Sequence, residues 1–209
     1  VAKIGAVWSS CSPDFGAQGV IDRFKQIDPK ILIICDYYYY NNKKINILDK
    51  VQAITKEIKT IKKIIIVPYK NKKQAYKVNF KHDNWLKIIK REKIEIKYKK
   101  FEFNIPLYIL YSSGTTGKPK CIVHGAGGSL IQHKKEHMLH CNIKPNDKVF
   151  YFTTCGWMMW NWLVSCLASK ATIYLYDGSP FFPKKDILFD IIEKENITFF
   201  GTGAKFIDT

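Results

Sequence analysis

Arginine is scarce in this chain of 209 residues. Only Arg23 and Arg91 are arginines among its 34 basic residues, although the formal net charge is +16. Proteins that bind nucleic acids rely heavily on the planar guanidinium group to contact phosphates and guanine. The lysines are spread along the whole chain, and no nucleic-acid-binding motif occurs. We therefore predict no nucleic-acid partner and interpret the charge as a lysine-rich surface.

Long apolar runs and closely paired cysteines are also missing. No stretch reaches 18 consecutive apolar residues, which excludes a membrane-spanning helix, and no signal peptide is visible. The six cysteines show no C-x-x-C spacing, and several lie in apolar runs, as buried free thiols do. Such cysteines suit a reducing compartment. We predict a cytoplasmic protein that is not inserted in a membrane.

Hydrolase motifs are incomplete. No G-x-S-x-G elbow of a serine hydrolase occurs. The segment "HKKEH", His133 to His137, matches the inverted zinc-protease pattern H-x-x-E-H, which places two histidines on one helix face. A catalytic zinc needs a third ligand, and His140 lies one turn further along the same helix, in a poor position to supply it. We expect a helix surface here and no metal site, with a zinc hydrolase as the alternative.

The first third of the chain alternates apolar runs with helical stripes. The runs "KIGAVW", "KILIIC" and "KIIIVP" are separated by two stripes with helical spacing, one at Val20, Phe24 and Ile27 and one at Ile47, Val51, Ile54, Ile58 and Ile61. Ser12, Pro13 and Asp14 are typical of a helix start. This β-α-β-α-β order predicts parallel strands, with "KILIIC" buried on both faces and "VAKIGAVWS" as a buried strand.

The pattern is interrupted once and then resumes. Residues 69–104 are rich in Lys and Asn and predict a surface excursion. Helices are predicted near 129–140, 157–168 and 185–195, between strands at "DKVFYFT", "ATIYLY" and "ITFFG". The fold class is therefore α/β, a largely parallel sheet flanked by helices. Because both ends fall within such elements, we expect the chain to be a piece of a longer protein that lacks parts of any active site.

The segment "SSGTTGKPK", Ser112 to Lys120, is a candidate anion cradle between two apolar runs. Glycines let backbone N–H groups converge, hydroxyls add donors, and lysine adds positive charge. The ATPase P-loop, G-x-x-x-x-G-K-[ST], leads into a helix. Here Pro119 follows Lys118, and the next residues, "KCIVH", have the character of a strand. The pattern predicts a hairpin whose tip holds phosphates, although an ordinary Gly-Thr-rich hairpin has the same composition.

The same residues resemble a known family. "YSSGTTGKPK" is similar to the phosphate-binding signature of the adenylate-forming enzymes, which include acyl-CoA synthetases, luciferases and nonribosomal-peptide adenylation domains. The segments "GAVWSSCSPDFGAQGVIDRFKQIDPK", "HGAGGSLIQHKKEH", "TTCGWMMWNWLVS" and "LYDGSP" resemble acetoacetyl-CoA synthetases more than acetyl-CoA synthetases. The resemblance implies that residues 1–209 are part of an N-terminal AMP-binding domain whose C-terminal partner domain is absent.

The resemblance also implies a reaction. A carboxylate would attack the α-phosphate of Mg·ATP to give an acyl-adenylate and pyrophosphate, and the thiol of coenzyme A would then displace AMP. The acid implied is acetoacetate, with another short acid as the alternative. Lys120 would be the catalytic lysine, beside phosphate-binding residues Ser112, Ser113, Gly114, Thr115, Thr116 and Gly117. Cys121 departs from the family, where many relatives have glycine.

Two further segments acquire roles from the resemblance. In "TTCGWMMWNW", Trp157 would form a wall of the acyl pocket, and Met158 and Met159 would shape it, whereas spacing alone favours a helix that belongs to the core. "WSSCSP" aligns with a segment beside coenzyme A, which makes Ser9 and Ser10 candidate contacts, although they replace a glycine pair.

The family also needs segments that these residues do not contain. They are a turn that stacks adenine and helps to hold magnesium, an aspartate for the ribose hydroxyls, and a lysine on a mobile C-terminal domain. We predict that the isolated chain is catalytically silent. A non-catalytic nucleotide-binding fragment is therefore the alternative to an enzyme.

Overall fold

The computed structural model describes residues 1–70, 75–90, 97–112 and 117–208. These residues fall into two compact units, one comprising Val1–Ser12, Tyr98–Leu110 and Ile122–Thr209, the other Pro13–Lys97 and Tyr111–Cys121. Both units combine strands with helices, so the α/β class is confirmed.

The strands in the described residues are, in chain order, β1 (Trp8–Ser9), β2 (Ile31–Cys35), β3 (Tyr37–Tyr40), β4 (Lys43–Asn46), β5 (Lys63–Val67), β6 (Asp83–Asn84), β7 (Pro106–Tyr111), β8 (Cys121–Gly125), β9 (Lys148–Tyr151), β10 (Thr172–Tyr174) and β11 (Phe199–Gly201). The α-helices are α1 (Ala17–Phe24), α2 (Leu48–Glu57), α3 (Trp85–Ile89), α4 (Ala126–Lys135), α5 (Met158–Ser165), α6 (Ile187–Glu195) and α7 (Ala204–Ile207). Short 3-10 turns cover Ala2–Ile4 and Cys166–Ser169, and a π-helical turn covers Glu136–His140.

The second unit contains a parallel sheet of order β2-β5-β6 and an antiparallel hairpin of β3 and β4. The parallel pairing of β2 with β5 confirms the prediction from the apolar runs. Val20 and Phe24 on α1 and Val51 and Ile54 on α2 are buried, as are Ile47 and Ile58 at the ends of α2. The remaining members of the two predicted stripes, Ile27 and Ile61, lie beyond the helices and are half-buried. Apolar spacing therefore located this core correctly.

Two local predictions in this unit were wrong, and one strand was not predicted. Helix α1 begins at Ala17 with Gly16 as its N-cap, not at Pro13, because the Lys50 ammonium bonds the carbonyls of Pro13 and Phe15, each at 3.1 Å, and holds that segment as a loop. Strand β2 is not buried on both faces, since Ile31 and Ile33 are exposed. The four tyrosines of β3 form a hairpin strand that apolar periodicity did not reveal.

The Lys-rich stretch 69–104, predicted to be a surface excursion, contains two short regular elements. Its residues Asp83 and Asn84 form β6 and extend the parallel sheet of β5. The Asn84 side chain then accepts a hydrogen bond of 2.9 Å from the Leu86 backbone N–H and caps α3. A two-residue strand and a five-residue helix are too short for periodicity to detect.

The first unit contains two sheets, β1-β7-β8 and β10-β9-β11. Strand β9 pairs in parallel with both of its neighbours, which confirms the three strands predicted in the second half of the chain. Against them lies a buried cluster formed by Ile143, Val149, Trp162, Leu163, Cys166 and Ala171. The predicted helices are also present, as α4 with its π-helical turn, α5 with its 3-10 turn, and α6.

The N-terminal segment is not the buried strand that its apolar letters predicted. Only Trp8 and Ser9 pair, with Tyr108 and Ile109 of β7. Val1, Ile4 and Val7 precede the pairing and are exposed. Over the whole described part of the chain, no helix has both the length and the apolarity needed to cross a bilayer.

Candidate active site

The predicted phosphate loop, of which the structure describes Ser112 and Gly117–Lys120, connects strands β7 and β8. Strands β7 and β8 are neighbours in one sheet, and the Ala126 N–H donates to the Ile105 carbonyl at 2.9 Å at the open end. At the tip, the Ser112 N–H donates to the Lys120 carbonyl at 3.0 Å. Strand β8 runs to Gly125 before α4 begins. The strand–loop–strand prediction is confirmed, so the loop does not open a helix as an ATPase P-loop does.

Three of the seven predicted phosphate-binding residues, Ser112, Gly117 and Lys120, can be placed. Ser113, Gly114, Thr115 and Thr116 lie outside the residues that the structure describes. Gly117 has φ of +135°, and among the described residues that are not its chain neighbours no atom lies within 4 Å of the position of a Cβ. Glycine is therefore required there by backbone conformation and not by crowding. Lys120 is exposed, which leaves its ammonium group accessible to a charged ligand.

Helix α1 and the turn that follows it contact both stems of the loop. The Gln26 side-chain amide donates to the Pro119 carbonyl at 2.8 Å. The Phe24 ring lies 6.3 Å from the ring of Tyr111, and the Arg23 guanidinium lies 5.9 Å from the same ring. The sequence does not distinguish Gln26, because a glutamine in a lysine-rich surface segment carries no pattern that marks a contact.

The predicted acyl-pocket residues lie in the other unit, at the start of α5. Trp157 is the N-cap of this helix and is 60% exposed, and Met158 is 44% exposed. Met159 is partly buried and packs against the core cluster, and Trp162 is 2% exposed. The interpretation of this segment as core is therefore right for Trp162 and wrong for Trp157 and Met158. Two large side chains remain free to contact a ligand.

The turn before Trp157 is fastened to the segment that follows β1. The Ser10 hydroxyl donates to the Cys155 carbonyl, and the Cys155 thiol donates to the Cys11 carbonyl at 3.4 Å. A Cβ at Gly156 would stand 2.8 Å from the backbone nitrogen of Ser12. The structure thus brings Ser10, a predicted coenzyme A contact, next to the turn that positions Trp157.

The hydroxyls of both predicted serines are engaged inside the protein. Ser10 is buried, and its hydroxyl also accepts from the Trp8 indole N–H at 3.2 Å. The Ser9 hydroxyl donates to the Ile109 carbonyl of β7 at 2.8 Å. These bonds connect β1 and the residue after it to β7 and to the turn before α5. Both hydroxyl protons are therefore donated within the protein.

The "HKKEH" segment is not a helix surface as we expected, because both of its histidines are buried. His133 Nδ1 lies 2.8 Å from the Ser165 hydroxyl, which itself donates to the Asn161 carbonyl, so the histidine is the donor of the pair. His137 is fully buried and donates from Nε2 to the Trp162 carbonyl at 3.2 Å. The hydrogen bonds of the two histidines therefore connect α4 and its π-helical turn to α5.

Electrostatics favour a structural role for this cluster. Burial lowers the pKa of both His133 and His137, which keeps the imidazoles neutral. Burial likewise raises the pKa of the Cys166 thiol to about 12. Glu136 accepts from the Trp162 indole N–H at 2.9 Å. The described residues contain no group of three His, Cys, Asp or Glu side chains placed to hold a metal ion.

A buried carboxylate outside the predicted site residues lies at the C-terminal end of β2. Asp36 accepts hydrogen bonds from the backbone N–H groups of Tyr37 and Tyr69, each at 2.9 Å, and from the Tyr76 hydroxyl at 3.2 Å. Burial, followed by the charge of Asp36, raises the pKa of Tyr76 to about 12. An aspartate directly after a predicted strand was the available signal.

Comparison with known proteins assigns the chain to a family. The model of the AMP-binding enzyme family matches residues 1–208. An acetoacetyl-coenzyme A synthetase of Rhizobium meliloti (strain 1021) is 51% identical over 99% of this chain and 32% of the relative. The acetoacetyl-CoA synthetase of Gallus gallus is 46% identical over the same shares.

A solved structure shows the same fold. The acetoacetyl-CoA synthetase from Streptomyces lividans superimposes with a TM-score of 0.91 and 42% identity, over 99% of this chain and 31% of that protein. The chain thus spans about a third of the length of the curated relatives it matches. The match extends over both units and includes the loop hairpin and the turn before α5. The chain belongs to the AMP-binding enzyme family.

Proposed function

We propose that the protein containing this chain is an AMP-forming acid–thiol ligase that converts ATP, acetoacetate and coenzyme A into acetoacetyl-CoA, AMP and pyrophosphate. One observation carries this proposal: identity of up to 51% with proteins named acetoacetyl-CoA synthetase, over 99% of the chain. The glycine-containing hairpin tip supports it, because the reaction requires a site for the triphosphate.

The phosphates would be held at the loop. Backbone N–H groups and hydroxyls of Ser112 to Thr116 would donate to the β- and γ-phosphates, with Gly114 and Gly117 allowing the backbone to close in. Lys120 would neutralise charge as pyrophosphate departs, and its exposed side chain is free to do so. Donors and charges fixed in advance are the largest source of catalysis in such reactions.

The acid and coenzyme A would use residues of the first unit. Trp157 and Met158, both exposed, would line the acyl pocket, and Met159 would support them from its position against the core. Ser9 and Ser10 would contact coenzyme A through acceptor positions or backbone groups, since their protons are donated internally. The partners proposed are these small molecules alone.

Magnesium enters the proposal as the companion of ATP. The described residues offer no group of three His, Cys, Asp or Glu side chains to bind it, so we assign it no protein ligand and no step. A cytoplasmic location and a role in the metabolism of ketone bodies and lipids complete the proposal.

The test is pyrophosphate exchange into ATP by the full-length protein, with acetoacetate, acetate, propionate and 3-hydroxybutyrate as alternative acids. We expect the highest kcat/KM with acetoacetate. A higher value with another of these acids would replace acetoacetate with that acid. Exchange with none of them would leave a nucleotide-binding protein without this activity.

Lys120→Ala in the full-length protein should lower kcat about 100-fold, because a charge that stabilises the transition state is lost. The KM for acetoacetate should change little. Lys135→Ala, which removes an exposed lysine on α4, is the matched control. Unchanged turnover in Lys120→Ala would contradict the assigned role.

A further inference from the structure

The Gln26 side chain joins two segments that are far apart in the chain. It lies just after α1, where its backbone N–H donates to the Arg23 carbonyl at 3.2 Å. Its side-chain Nε2 donates to the Asp22 carbonyl of the same helix at 2.7 Å and to the Pro119 carbonyl of the loop at 2.8 Å. An amide nitrogen has two N–H donors, and both are used. One N–H holds the side chain to helix α1, and the other holds the Pro119 carbonyl of the loop.

The bond to Pro119 acts on the peptide that leads into Lys120. Proline has a fixed φ and no N–H group, so its carbonyl is the group through which its peptide plane can be held by a hydrogen bond. Holding that carbonyl restricts the plane of the Pro119–Lys120 peptide, and a restricted peptide plane on each side of Lys120 limits the direction in which its Cα–Cβ bond leaves the backbone. The Ser112 to Lys120 bond, at 3.0 Å, fixes the other side of the same residue.

Helix α1 is a suitable anchor for this bond. Its residues Val20, Ile21 and Phe24 are buried in the unit that also contains the loop tip. The Phe24 ring contacts Tyr111 at the first stem of the loop, and Gln26 contacts Pro119 at the second stem. Helix α1 and the turn after it thus contact both stems, and Gln26 makes the polar contact with the stem that leads into Lys120.

We propose that Gln26 is a positioning residue that aims Lys120 at the phosphates of ATP. This inference rests on the proposed function, which gives Lys120 its task. Gln26 does not contact the nucleotide; it acts through the Pro119 carbonyl. Its loss should therefore weaken the reaction that Lys120 assists and leave the binding of the acid unchanged.

The experiment compares three variants of the full-length protein. Gln26→Met keeps the length of the side chain and removes the donor, and Gln26→Lys restores a donor of similar reach. Gln18→Met is the matched control, because the Gln18 amide donates to the Asp22 carboxylate at 2.8 Å within α1. The measurements are pyrophosphate exchange with acetoacetate and, without any nucleotide, hydrogen–deuterium exchange of the peptide 111–121.

We expect Gln26→Met to lower kcat about two- to tenfold, the range for loss of one neutral hydrogen bond, with the KM for acetoacetate unchanged. Hydrogen exchange of peptide 111–121 should accelerate in the same variant. Gln26→Lys should recover most of both properties, and Gln18→Met should match the unaltered protein.

Equal rates of hydrogen exchange of peptide 111–121 in Gln26→Met and Gln18→Met overturn the inference, whatever the activity. An unchanged kcat in Gln26→Met also overturns it when the unaltered protein is active. An unaltered protein that shows no pyrophosphate exchange refutes the proposed function and the task given to Lys120. Faster hydrogen exchange in Gln26→Met would then show separately that Gln26 anchors the loop.

Discussion

Gly156 lies where two backbone segments meet, and alanine at this position should destabilise the first unit. The added Cβ would stand 2.8 Å from the Ser12 nitrogen and 3.4 Å from the Cys11 Cα. Unstrained contacts of carbon need about 3.5 Å, so the segments must separate by about 0.7 Å. The obstacle is main chain, which cannot rotate away as a long side chain does.

The separation is costly because the same segments are bonded to each other. The Ser10 hydroxyl and the Cys155 thiol both donate across this contact, to the carbonyls of Cys155 and Cys11. Additions of one carbon to a tightly packed site cost about 1–3 kcal/mol. For a folding unit of about 150–250 residues each kcal/mol lowers Tm by about 2–4 °C, so we expect a decrease of about 2–12 °C.

Thermal unfolding followed by circular dichroism measures this effect. Gly128→Ala is the control with the opposite sign, because nothing lies within 4 Å of a Cβ at Gly128, which is inside helix α4. Alanine there should stabilise by about 0.5 kcal/mol, since glycine is unfavourable within a helix. A Gly156→Ala protein as stable as the unaltered one would refute our account of the contact.

Three further predictions concern the loop and the buried cluster. Gly117→Ala must accept φ of +135°, at a cost of about 1–3 kcal/mol, and should reduce pyrophosphate exchange about tenfold; full activity would contradict the proposed role of the loop. Burial lowers the pKa of His137, so its contribution to stability is complete above the unfolded value of about 6.5 and declines as the pH falls below it. The urea concentration at the midpoint of unfolding should therefore decrease less between about pH 7.5 and about pH 5.5 in His137→Gln than in the unaltered protein. An equal decrease in both proteins would contradict this explanation. Cys166, fully buried with a pKa of about 12, should resist iodoacetamide near pH 8 until the protein is denatured, and modification of the native protein at the rate of a free thiol would disprove its burial.

The sequence alone predicted the elements whose pattern is long and regular. The stripe of Val51 and Ile54 and the runs of β2 and β5 located the α/β core, because burial of one face imposes a fixed period. The loop hairpin followed from local chemistry, since Pro119 and the strand-forming residues after it are incompatible with a helix. The family signature then named the chemistry that such a loop would serve.

Tertiary contacts decided what local pattern could not. The burial of His133 and His137 depends on α5, a helix about thirty residues away, so the letters "HKKEH" gave no sign of it. Lys50 holds Pro13 in a loop and delays the start of α1, and Gln26 reaches Pro119 across 93 residues. Such contacts join residues without any shared period, and a side chain reveals its partner only when the chain has folded around both.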